Sequence, residues 1–288
     1  MNRKKLNIIL SMLIFGTIGV VRRYIPFPSS IVALARAAIG LVFLLCVKAV
    51  KREKIDFAAI KRNFWPLLIS GAMLAFNWVM LFEAYNMTTV SVATVCYYMA
   101  PVFVIFLSPI LFHEGYSNKN FICAGFALFG MVLVSGVIKT GFVGVGGIIF
   151  ALIAAAMYAT IVILNRTVKG LSGIDRTIFQ FAVSVVCMIP YVLLTEKGAD
   201  LTAGGLVWLM LIVAGIVHTG IAYVLYFGSV ADVPAQTAAI LSYLDPVTAV
   251  ILSVTLLAEP MDTAAVIGAV IALGAMVISE ISFRKKRA

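Results

Sequence analysis

Charge is the scarcest property of this chain: only 12% of its 288 residues are Asp, Glu, Lys or Arg, about half of what a soluble domain carries. With 63% hydrophobic residues and a mean hydropathy of +1.11, that scarcity excludes a soluble globular protein. The four cysteines, Cys46, Cys96, Cys123 and Cys187, sit singly inside apolar runs. Without paired spacing they support neither a disulfide framework nor a zinc site, and they leave the redox compartment undetermined. No phosphate-cradling glycine loop is present, so ATP-driven pumping by this chain alone is excluded and no cofactor is expected. Strict apolar and polar alternation is also missing, which excludes a membrane β-barrel. What the chain does have is long apolar runs, and these predict an all-α integral membrane protein. Its net charge of +10 does not predict a nucleic-acid partner, because the basic residues cluster at the ends of those runs.

The runs predict ten transmembrane helices, roughly 6–21, 31–50, 65–85, 90–112, 121–137, 145–164, 177–194, 206–228, 235–257 and 264–281. Arg3, Lys4 and Lys5 before the first run resemble a signal peptide, but no small-residue cleavage site follows and further spans come after, so this run is read as the first helix. With the N-terminus inside, only Arg22, Arg23, Lys139 and Lys197 fall on the outer side and Arg36 lies within a span; every other Lys and Arg is cytoplasmic. That bias predicts a multi-pass protein of the cytoplasmic membrane with both termini inside. Five helices per half is an odd number, so the second half enters from the opposite side. The expected architecture is two inverted five-helix repeats, residues 1–140 and 141–288, joined near the glycine-rich stretch 139–147, and this arrangement favours alternating access over a fixed pore. The basic stretch 48–62 reads as orientation and attraction to anionic lipid.

The repeat is most legible in two runs with the same interrupted middle. Tyr98, Pro101, Val102, Leu107, Ser108, Leu111 and Glu114 in the first fall in register with Tyr243, Pro246, Val247, Leu252, Ser253, Leu256 and Glu259 in the second. Proline removes a helical hydrogen bond, so Pro101 and Pro246 mark expected helix breaks, which are tolerated in lipid only where protein or a wet cavity protects them.

Asp245, beside the second break, is the strongest candidate for a function. A mid-bilayer carboxylate faces a cavity or a partner, and it is read as a cation or proton site, with capping of backbone freed by Pro246 as the structural alternative. Glu83 and Arg36 are coupling or ion-pair candidates, for each other or, for Arg36, with an anionic substrate group. Arg22 and Arg23 are expected to snorkel to outer headgroups, with a substrate gate as the alternative. His218 is either a proton relay or a hydrogen-bonded interhelical contact. Asn77, Trp78, Tyr98, Tyr158, Tyr223 and Tyr243 complete the expected substrate-binding group, in which aromatic faces hold a cation and hydroxyl or amide groups orient it; ordinary packing is the alternative. Ala264, Gly268 and Ala272 place small residues on one face of the last helix and predict an internal helix contact.

Taken together, the arginine in PSSIVALAR, the run APVFVIFLSPILFHE, its echo DPVTAVILSVTLLAE and the glycines at 125, 130, 268 and 274 in the two helices that follow resemble the drug/metabolite transporter superfamily, in its ten-helix EamA type. The resemblance implies two inverted repeats around a central cavity. It also implies movement of a small metabolite by alternating access, and mainly structural roles for Pro101, Pro246, Glu114 and Glu259. The aromatic group and the acid point to an amino acid or amine-like substrate, with proton coupling through Asp245. The competing expectation is an intramembrane enzyme acting on a lipid-like substrate. It is disfavoured because one His and one deep Asp do not make a convergent catalytic set. No catalytic residue, metal or cofactor is expected. The partners are a small molecule and the bilayer, with monomer and homodimer both open.

Overall fold

In lipid every backbone N–H and C=O has to be satisfied within the segment, so apolar runs of this length fold as helices. The computed structural model describes residues 3–88, 90–113, 117–134, 137–140, 144–257 and 263–280, and these are helical with no strand among them. The elements are α1 (Arg3–Gly16), α2 (Ile18–Arg22), α3 (Ser29–Val50), α4 (Phe57–Arg62), α5 (Phe64–Met87), α6 (Val90–Tyr97), α7 (Ala100–Phe112), α8 (Asn118–Val134) and α9 (Val137–Thr140). They continue as α10 (Val145–Thr167), α11 (Gly173–Thr195), α12 (Gly205–Val213), α13 (Ala222–Phe227), α14 (Ala235–Leu241), α15 (Leu244–Leu257) and α16 (Thr263–Glu280). Among the described residues, seven helical stretches are long and apolar enough to cross a membrane. Glu114 and Glu259 lie outside the described residues.

Four features depart from uninterrupted spans. The first helix bends at Thr17, whose hydroxyl donates to the Ile14 carbonyl at 2.7 Å, a back-bond that tilts a helix. A π-helical stretch, Ala214–Ile221, joins α12 to α13. The basic stretch 48–62 is not one loop: Lys48 belongs to α3, and α4 is capped by the Asp56 carboxylate, which accepts from Ala59 N at 2.8 Å. The two proline runs are each divided, with α6 ending at Tyr97 and α7 opening at Ala100, and α14 ending at Leu241 and α15 opening at Leu244. Pro101 and Pro246 thus sit in the first turn of the second segment, where a missing N–H costs least.

The break at Pro246 resolves one alternative. Without a Pro246 N–H, the Ser242 carbonyl accepts instead from Asp245 N at 3.3 Å. The backbone itself repairs the gap, and the Asp245 carboxylate is not needed as a cap.

Close approach between helices depends on small residues. Gly130 of α8 faces α16: a Cβ there would stand 2.5 Å from the Gly268 carbonyl oxygen and 3.1 Å from the Ala272 Cβ. The small-residue face of α16 is therefore an internal contact, as expected. Gly130→Val should lower stability by about 1–3 kcal/mol, read as a fall in thermal midpoint. Gly125→Ala, where nothing lies within 4 Å of the added Cβ, should leave the midpoint unchanged or slightly raised.

Candidate functional site

A cavity of about 480 Å³ lies among α1–α2, α3, α5, the π-helical stretch, α13 and the two helix breaks. Its floor is mid-span, at Met12, Phe15, Ser242 and Asp245, and its mouth is at Arg22, Ile25 and Ser29. Apart from Met12 at the midpoint, the lining residues on α1–α2 come from its second half, those on α3 from its first half and those on α5 from its second half. The cavity therefore lies toward the face that carries the α2–α3 turn.

The opposite face, near the N-terminus, is closed by polar links between the first and second halves of the chain. Lys4 pairs with Asp232 at 2.7 Å and donates to the Gly228 carbonyl at 2.9 Å. Asn7 Nδ2 donates to Ser229 Oγ at 3.1 Å, and Asn120 Nδ2 to Gln236 Oε1 at 3.0 Å. Deeper, Lys48 meets Asp175 at 2.6 Å with both side chains buried. Arg176 holds the carbonyls of Asn165, Val168 and Phe227 at 2.7–3.0 Å. Counting Lys48 and Arg176 as surface charge that sets orientation misses these roles, because a positive residue at the end of a run reads the same whether solvated or paired.

The structure brings many of the expected residues together. Asp245, Tyr98, Tyr158, Tyr223, Trp78, Arg36 and Pro101 all line the cavity. The Tyr98 hydroxyl donates to the Asp245 carboxylate. Trp78 and Tyr223 meet edge to face with ring centroids 6.4 Å apart, and both line the cavity with Arg36 and Asp245. Aromatic edges meet at Phe15–Tyr223, 5.0 Å between centroids, and at Tyr97–Tyr158, 5.9 Å. Such pairs rigidify a pocket wall.

Three expected contacts stand behind the wall instead. Tyr243 is fully buried and donates to the Tyr98 carbonyl at 3.2 Å, so its hydroxyl ties one helix break to the other. Asn77 donates to the Ala154 carbonyl at 2.6 Å across the α5–α10 seam and accepts from the Tyr97 hydroxyl at 3.3 Å. His218 lies 2.7 Å from Thr17 Oγ1, at the bend of the first helix, as an interhelical contact. In each case a polar group inside the span found a protein partner, which sequence alone does not distinguish from a group facing a cavity. Pro246 is likewise buried outside the lining. The expected ion pair between Arg36 and Glu83 is absent: Arg36 Nε donates to Thr219 Oγ1 at 3.1 Å, and Glu83 accepts from the Tyr191 hydroxyl at 3.3 Å.

Phe15, Gly19, Leu81 and Ser242 were not anticipated. Phe15 and Leu81 look like any apolar residue within a span. Arg22 does not snorkel to lipid. Its guanidinium donates to the Ile25 and Phe27 carbonyls and to Ser29 Oγ, pinning the α2–α3 turn. Arg22 and Ser29 also line a second, polar cavity of about 410 Å³ beyond the mouth, together with Glu83 and Glu196.

The EamA-like transporter family model matches residues 4–136 and again 145–280. The chain belongs to that family. This EamA-like transporter is 30% identical over 279 residues to a Bacillus subtilis (strain 168) protein named uncharacterized transporter YxxF, covering 95% of this chain and 88% of that one. It is 26% identical to the uncharacterized transporter YwfM of the same strain, over 100% of this chain and 97% of the other. An uncharacterized transporter of Archaeoglobus fulgidus is 25% identical over 94% of both chains. A solved crystal structure superposes with a TM-score of 0.85 at 18% identity, spanning 96% of this chain and 97% of that one, which shows a shared fold. The EamA-like transporter is thus a multi-span membrane protein whose setting is the bilayer.

Proposed function

We propose that this EamA-like transporter is a secondary transporter that moves a small polar metabolite, an amino acid or amine-like compound, across the cytoplasmic membrane by alternating access, without catalysis by the chain. The observation that carries the reading is a mid-span cavity displaced toward one face and lined by Asp245 beside a broken helix. Binding at such a break, with rocking of the halves around it, is how many secondary transporters work. The moving bodies are two inverted five-helix repeats, residues 1–140 and 141–288, a division supported by the two successive family matches. Counting α8, α14–α15 and α16 as further spans gives ten. Both termini are cytoplasmic, so the open face is the outer one. Asp245 exchanges its charge partner, substrate cation or proton, as the cavity switches sides.

The test is thermal unfolding of the purified protein against amino acids, quaternary amines, nucleosides and sugars across pH, repeated with Asp245→Asn. A ligand present at 100 times its Kd stabilises by about 2.7 kcal/mol. An amino acid or amine should raise the midpoint of the native protein and lose that effect in the variant. Stabilisation by nucleosides or sugars alone, or an amine effect untouched by Asp245→Asn, would overturn the reading.

A further inference from the structure

The cavity holds two arginines that differ in how their donors are used. Arg22 commits its terminal nitrogens to the Ile25 and Phe27 carbonyls and to Ser29. Arg36 has one hydrogen bond among the described residues, from Nε to Thr219 Oγ1. Its guanidinium carbon lies 5.6 Å from the Trp78 ring centroid, and Arg36 and Trp78 both line the cavity. No described carboxylate pairs with it.

The placement of Arg36 is built into the fold. Thr219 belongs to the π-helical stretch, and its hydroxyl donates five residues back to the Ala214 carbonyl at 2.8 Å. That orients its oxygen to accept from Arg36. Gly40, one turn further along α3, lets the two segments touch: a Cβ there would stand 3.1 Å from the Gly215 carbonyl oxygen and 3.2 Å from the Thr219 methyl. π-helical insertions recur at functional sites because they re-aim side chains. Here the insertion fixes Nε of Arg36 and leaves the fork of terminal N–H groups toward the cavity.

An unpaired cation and an unpaired anion therefore line one partly desolvated space. Among the described residues Asp245 accepts from a tyrosine hydroxyl, and no ion pair joins it to Arg36. Leaving both charges unmatched in low dielectric is costly, and an occupant carrying the two opposite charges neutralises both at once. A guanidinium fork matches a carboxylate in geometry as well as in charge.

Resting on the transporter reading above, we propose that Arg36 is the carboxylate-binding residue of the central cavity and that the substrate is a zwitterion, whose ammonium group faces Asp245, rather than a simple amine. Arg36 then sets specificity: it rejects decarboxylated analogues that satisfy Asp245 equally well.

The test compares matched pairs by thermal unfolding of the whole purified protein: phenylalanine with phenethylamine, leucine with isoamylamine, histidine with histamine, lysine with cadaverine, and the methyl ester of each amino acid. At least one amino acid should stabilise the protein, with its amine and ester binding weaker by about tenfold or more. Arg36→Gln should remove that preference, and Arg36→Lys should retain part of it. Should Arg36→Gln fail to fold, the acid, ester and amine series on the native protein decides by itself. An amine or ester that binds as tightly as its parent acid, or a preference that persists in Arg36→Gln, overturns the assignment while leaving the Asp245 site standing. No stabilisation by any member overturns the transporter reading together with it.

Discussion

A cross-link between Asn7→Cys and Ser229→Cys should shut the cavity to reagents arriving from the N-terminal face while leaving it open from the other. The two native side chains are hydrogen-bonded at 3.1 Å between α1 and the turn after α13, on the closed side. The outermost ion pair on that side is weak. The Lys4–Asp232 pair is 40% and 57% exposed, and exposed pairs contribute about 0–1 kcal/mol. On the alternating-access reading proposed above such a seal opens thermally, with a minor state typically populated at about 0.1–10%. A covalent bond removes that population. In a background with the native cysteines replaced, Ser242→Cys at the cavity floor reports the change through a membrane-impermeant thiol reagent. Before cross-linking it is labelled from both faces. Afterwards labelling from the N-terminal face stops, labelling from the other face persists, and reductant restores both. Labelling from the N-terminal face that survives a complete cross-link would mean that these contacts do not gate the cavity, and alternating access around this seam would fall.

The second large effect concerns stability. Lys48 and Asp175 are 7% and 4% exposed, and each has a further partner: Lys48 donates to the Lys54 carbonyl and Asp175 accepts from Ser172 Oγ, both at 2.9 Å. Removing one member strands the other as an uncompensated buried charge, so Lys48→Met or Asp175→Leu alone should cost about 3–5 kcal/mol. The combined variant should recover most of the loss or exceed the native stability, because a packed apolar pair avoids desolvating two ions. Denaturation in mild detergent of the native protein, both single variants and the double variant closes the cycle. Additive losses would show that the two residues do not act as a pair. Neither change should alter ligand preference, since neither residue touches the cavity.

Much of the fold was legible because apolar length is a strong signal, and the observed helix ends mostly lie within a few residues of those expected. The repeated Tyr and Pro register located the two breaks, since proline acts on local backbone and needs no tertiary information. Asp245 was readable for a similar reason: a carboxylate within a span has few bland explanations. The π-helical stretch was not readable, because Ala214–Ile221 looks like ordinary helix in sequence and its Gly215 and Gly220 approach Ile39 and Phe43 of α3 only in the fold. Sorting the polar residues was also beyond the sequence. Asn77, His218 and Tyr243 resemble cavity residues by type, yet each is consumed by a protein partner that only the three-dimensional neighbourhood reveals. Arg36 and Arg22 show the same limit from the other side: two arginines facing one cavity, one spent on carbonyls and one left open.

The approach of Gly16 to α15 has a mechanical consequence. A Cβ on Gly16 would stand 2.6 Å from the Asp245 carbonyl oxygen, so the first helix rests against the second break at this point as on a fulcrum. At 1.5 Å per residue, Lys4 lies about 18 Å along the helix from that point and Arg22 about 9 Å on its other side. With the bend at Thr17 held by its bond to the Ile14 carbonyl, the two arms would turn together, and the N-terminal end would travel about twice as far as the other. An inward stroke of about 2 Å at Arg22 would displace Lys4 by about 4 Å, beyond the reach of a hydrogen bond. Closing one mouth would thereby break the seal on the other. Spin labels near residues 4 and 22 would measure the ratio of the two strokes, and equal displacements would rule out the lever.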